Sequence, residues 1–216
     1  HMDDATFSAI EATLTSTSCA LIIAMILGLP LGFMLGYTTF PGKKFLRLVS
    51  DTLLAFPTVL IGLIVYVFIT YRGPLGQFGL LFTVPGMVIG QSILALPIVV
   101  SWTAQAVENL DRRCRETLLT LGASSTQLAL HTIREIRYDL GMVCVTAFGR
   151  VVTEVGVAMM LGGNISERTN TLSLEIFNAV SHADFDAANA LCLLLSLFAA
   201  VIFLAAELLI RRSPRL

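Results

Sequence analysis

Four stretches of this chain, residues 12–42, 52–71, 73–107 and 187–206, carry no charged side chain. A helix crossing the ~30 Å hydrocarbon layer of a bilayer needs about 20 apolar residues, and each stretch is long enough. Backbone N–H and C=O groups cannot be left unpaired in lipid, so such stretches must close their own hydrogen bonds as helices. This excludes a chain built as an ordinary water-exposed globule. Composition agrees: 56% of the 216 residues are hydrophobic, and 13% are charged against the ~25% usual for a soluble domain.

A fifth apolar run holds Arg150 and Glu154 as its only charges. The sequence therefore predicts an all-α polytopic membrane protein, a single bundle with spans at about 14–37, 48–70, 84–104, 140–161 and 188–210. Gly28, Pro30, Gly32, Pro57 and Pro97 fall inside these spans. Small residues let membrane helices approach closely, and neighbouring groups satisfy the backbone that proline frees. The start, His1-Met2-Asp3-Asp4, lacks the basic segment of a cleaved leader, so the first run reads as a retained span. Cys19, Cys114, Cys144 and Cys192 show no metal-like spacing and read as small apolar residues.

Lys and Arg give the orientation. Lys43, Lys44, Arg47, Arg112, Arg113, Arg115, Arg134, Arg137, Arg211, Arg212 and Arg215 fall on one side of a five-span layout. Arg72 and Arg168 fall on the other. The bias toward basic residues in cytoplasmic loops places the N-terminus outside and the C-terminus in the cytoplasm. Residues 105–139 then form a cytoplasmic loop, read as two short helices over about 107–121 and 124–136. Gly122 stands at the break, where a left-handed residue commonly ends a helix, and Ser124 or Ser125 can cap the next one. Leu118, Leu119, Leu121, Leu128, Leu130 and Ile133 give the loop apolar stripes. Two readings follow: a loop packed on its own bundle, or a docking element for a cytoplasmic partner.

The segment "ETLLTLGASSTQLALHTI" resembles the EAA loop of ABC-transporter permeases, with Glu116 at the Glu position and Leu121-Gly122-Ala123-Ser124 on the LGAS core. Thr117 and Leu118 stand where that pattern has paired alanines, and Ile133 comes one residue late. The following "AFGRVVTEVGVAMMLGGNISERTNTLSLEIF" is similar to the corresponding segment of molybdate and tungstate permeases. The Arg-Glu-x-Arg ending at Arg134–Arg137 is more similar to the tungstate branch. The resemblance implies a type I ABC permease importing a tetrahedral oxyanion, tungstate ahead of molybdate. It implies two copies forming the pathway, a cytoplasmic ABC ATPase dimer receiving the loops, and an extracytoplasmic oxyanion-binding protein. Sulfate import is the alternative within the class; a membrane scaffold whose loop binds a non-ATPase partner is the alternative outside it.

Arg150 and Glu154 lie four residues apart on one helix face within the fourth span. Intramembrane charges are costly and face a bundle interior or a water-filled cavity. Either they form a structural ion pair or they line the translocation pathway. Gly162-Gly163-Asn164 ends the same span and reads as a tight turn, or as part of an external gate that touches the binding protein. Glu207 is expected to reach the interface beside Arg211. His131 and His182 are unaccompanied, so no metal is assigned. The chain has no phosphate-binding GxxxxGK[ST] segment and no HExxH, so ATP and magnesium are expected on the ATPase subunit, and no catalytic residue is assigned here. No nucleic-acid partner is expected.

Overall fold

The computed structural model describes residues 4–110 and 112–212, and the side chains of residues 4, 112–115 and 209–212 lie outside that description. The expectations placed on His1, Met2, Asp3 and Arg215, and on the side chains of Cys114 and Arg211, therefore fall outside the described residues. The helices are α1 (Asp4–Tyr37), α2 (Lys43–Leu54), α3 (Thr58–Ile69), α4 (Val84–Glu108), α5 (Arg112–Thr120), α6 (Ser125–Glu135), α7 (Arg137–Val152), α8 (Gly156–Gly162), α9 (Leu172–Ser181) and α10 (Phe185–Arg212). A short 3-10 turn covers Gly76–Phe78, and no strand occurs among the described residues.

The fold is organised on a glycine seam. Gly28, Gly32 and Gly36 recur at every fourth residue and share one face of α1. A Cβ on Gly28 would stand 2.7 Å from Val99 Cγ1. One on Gly32 would stand 2.6 Å from the Val100 carbonyl oxygen, and one on Gly36 2.6 Å from that of Ala104. The missing side chains let the α1 backbone lie directly against α4. Ala20 and Ala24 continue the contact into a buried cluster with Val88, Ala95, Ile98 and Val99 of α4 and Val143, Ala147 and Val151 of α7.

Two of the expected spans are broken helices. α2 and α3 meet at 101°. Pro57 lies at the corner, and the residue before a proline is pushed out of helical geometry, so Phe56 cannot continue α2 straight into α3. α7 and α8 meet at 61° without any proline. Three helices, within α1, α4 and α10, are long and apolar enough to cross a membrane singly, and five spans result when each bent pair counts as one. The leading half of the loop is also shorter than expected, because Val107 and Glu108 belong to the end of α4.

Candidate functional site

The loop is built as a helix, a left-handed glycine and a capped helix. The N–H of Ala123 donates to the Leu118 carbonyl and that of Gly122 to the Leu119 carbonyl, each at 3.0 Å. This crossed pair, with Gly122 at φ +82°, is a Schellman ending for α5. Ser124 opens α6: its hydroxyl accepts from Gln127 N–H at 3.3 Å, while Gln127 Oε1 accepts from Ser124 N–H at 2.9 Å. That reciprocal capping box satisfies two N–H groups which a helix start leaves unpaired. Ser124, not Ser125, is the cap.

Leu128, Thr132 and Ile136 are buried and seat α6, whereas Leu119, Leu121 and Leu130 are exposed. Leu121 is 78% exposed at the tip of the turn. Leu118, Leu121, Gly122, Ala123, Gln127, Leu130, His131 and Arg134 line a groove of about 520 Å³. Glu116 is exposed on α5. A Cβ on Gly122 would meet nothing within 4 Å, so inside this chain the glycine serves its backbone conformation alone.

Arg150 and Glu154 are brought together, though not on one continuous helix. Arg150 lies in the last turn of α7, and Glu154 lies beyond it in the break before α8. Arg150 Nη1 donates to Glu154 Oε2 at 3.0 Å, and Glu154 Oε1 accepts from Val157 N–H at 3.2 Å. The carboxylate is 4% exposed and the arginine side chain 42% exposed. One carboxylate thus ties the end of α7 to the start of α8, where the helix dipole also favours a negative charge. Side-chain hydroxyls take two carbonyls at the break. Thr153 Oγ1 donates to the Gly149 carbonyl, and Ser173 Oγ donates to that of Val152 at 2.8 Å.

Gly163 and Asn164 form a tightly bound turn. Both have positive φ, +74° and +51°. A Cβ on Gly163 would come 2.5 Å from the Phe82 ring, so that glycine answers both the backbone and a close approach. Asn164 and Asn178 exchange side-chain amide hydrogen bonds at 2.7 and 3.2 Å, pinning the turn to α9. Thr169 Oγ1 accepts from Ile165 N–H at 3.1 Å and donates to the Gly162 carbonyl. His182 caps α9 with Nδ1 2.7 Å from the Asn178 carbonyl oxygen. Phe82, Ser173 and Asn178 escaped the sequence reading because each acts on a partner distant along the chain.

Residues 28–215 match the family described as binding-protein-dependent transport system inner membrane component. A tungstate uptake system permease protein of Campylobacter jejuni is 44% identical, over 92% of this chain and 83% of its own length. The tungstate uptake system permease protein of Peptoclostridium acidaminophilum is 32% identical, over 89% and 85%. Among solved structures, an inward-facing MetNI methionine ABC transporter superposes with a TM-score of 0.80 at 17% identity, covering 99% of this chain and 98% of that one. The chain therefore belongs to the binding-protein-dependent transport system inner membrane component family and has the type I ABC permease fold.

Proposed function

We propose that this chain is the permease subunit of an ATP-driven tungstate importer, with molybdate as the second candidate cargo. The observation that carries the reading is the 44% identity to a tungstate uptake permease across 92% of the chain. Two copies would enclose the pathway in the cytoplasmic membrane, N-terminus outside and C-terminus inside, as one transmembrane domain. ATP and magnesium would bind a separate cytoplasmic ATPase dimer, and an extracytoplasmic protein would deliver the oxyanion.

Within this reading the α5–α6 loop is the ATPase docking element. Its support is geometric: exposed leucines surround a turn fixed from both sides by the Schellman ending and the capping box. Docking residues would be Glu116, Leu121, Gly122, Ala123 and Ser124. Arg150 and Glu154 hold a pathway helix in register across its break, and Arg150 is the partly exposed member on which a passing anion could act. Gly163 and Asn164 shape the outer end, where the binding protein would rest. The test is uptake by the full complex in proteoliposomes loaded with ATP. Labelled tungstate entry should be blocked by excess unlabelled tungstate more strongly than by molybdate, and least by sulfate. Equal or stronger block by sulfate would overturn the assignment.

A further inference from the structure

α2 and α4 both carry the wrong charge at one end. α2 opens on Lys43 and Lys44 with no acid in its first turn, and α4 closes on Glu108 with no base in its last turn. The helix dipole favours the opposite arrangement at each end. The two misplaced ends meet. Lys43 Nζ lies 3.3 Å from Glu108 Oε1, and Arg47 Nη1 lies 3.6 Å from Glu108 Oε2. Lys43 Nζ also donates to the Gly36 carbonyl at 3.3 Å, which draws in the end of α1. Arg47 Nε is held separately by Asp51 Oδ2 at 3.2 Å. Arg47 Nη1 is buried without a hydrogen-bond partner, so the nearby Glu108 carboxylate is its electrostatic compensation.

Glu108 is also where the loop leaves the bundle. α5 starts at Arg112 and packs chiefly on α6, whose buried residues anchor the far end of the loop. Near its first end, this ionic node joins the end of α4 to α2, and through α2 to the 101° elbow with α3. We infer that Glu108 is a positioning residue for the loop, and that its pairing with Lys43 and Arg47 makes the α2–α3 elbow part of the coupling apparatus. The inference rests on reading α5–α6 as the ATPase docking element. The paired side chains are 36%, 23% and 22% exposed for Glu108, Lys43 and Arg47, so the node is reached by water and ions and suits a contact that is made and released. α2 stays attached without it. Ser50 and Ser101 share a buried hydrogen bond at 2.7 Å between the same two helices.

The experiment uses the complete reconstituted complex, with binding protein and tungstate, and reads ATP hydrolysed per anion imported. Glu108→Gln should raise that ratio about threefold, with co-purified ATPase within about twofold of wild type. Lys43→Gln should raise it less, since Arg47 still faces Glu108, and the double variant should be no worse than Glu108→Gln alone, which already removes the Lys43 pairing. An unchanged ratio in Glu108→Gln, additive losses in the double variant, or simple failure of the variant to assemble would each overturn the inference. A wild-type complex whose ATP hydrolysis ignores tungstate would instead overturn the function proposed above.

Discussion

Glu154 shows how one side chain can bridge a break between two helices. A helix interrupted in an apolar setting strands the N–H groups of its second half, and the Glu154 carboxylate takes that of Val157 while neutralising Arg150. Removing Arg150 alone leaves a buried carboxylate with half its compensation. Arg150→Met should therefore lower the stability of the purified protein by roughly 1–3 kcal/mol. Glu154→Gln keeps an acceptor for Val157 but leaves the arginine unpaired, so its loss should be smaller. The double variant should recover much of the Arg150→Met loss, because no charge then remains uncompensated. Thermal unfolding in detergent checks this, and losses that simply add would show that the two residues are not partners. Their pairing was legible in the sequence, because charges four apart on a helix are neighbours. The break between them was not: no proline marks it, and an apolar run reads alike whether straight or bent by 61°.

At the scale of the element, the glycine seam and the loop differ in what glycine does. Gly122 has free space around it and is required for a dihedral angle. Gly32 has an ordinary helical backbone and is required for closeness, because its added Cβ would meet the Val100 carbonyl and Thr103 Cβ at 2.6 and 2.7 Å. Backbone cannot rotate away as a flexible side chain can. Gly32→Ala should thus destabilise by about 1–3 kcal/mol through overpacking, measured as a lowered melting temperature of the solubilised protein. Gly149→Ala in α7, where a Cβ meets nothing within 4 Å, should change little. The turn at Gly122 could be read from one short segment, since a helix ending and the cap that follows depend on adjacent residues. The α2–α3 corner was less legible. Pro57 marks it, but the charges at Lys43, Lys44 and Arg47 hide the start of α2, and only its part from about residue 48 reads as span. The Glu108 node was not legible at all, because its members lie on separate helices.

For the whole molecule, the distribution of Lys and Arg yields a statement about orientation that labelling can check. Single cysteines placed at Gln77 or Ser166 should react with an impermeant thiol reagent from outside only, and those at Lys44 or Ser125 from the cytoplasmic side only. The four native cysteines, Cys19, Cys114, Cys144 and Cys192, would first be changed to Ala or Ser, so that each labelled variant carries a single thiol. Mixed labelling would overturn the five-span layout.

α10 carries a further consequence. It is the most apolar of the three long helices, at a mean hydropathy of 2.6, yet none of that window is buried by its own chain; α4, at 1.8, is 56% buried. Leu193, Leu197, Val201 and Leu204 all face outward. The outward face of the most oily helix is therefore one that the chain's own packing does not use. Redesign for water solubility would begin at these exposed positions of α10, away from the side that carries Ala188 and Phe198, and would leave α4 almost untouched. In this chain greasiness measures the medium outside, and the interior is recognised by how small and how closely fitted its residues are.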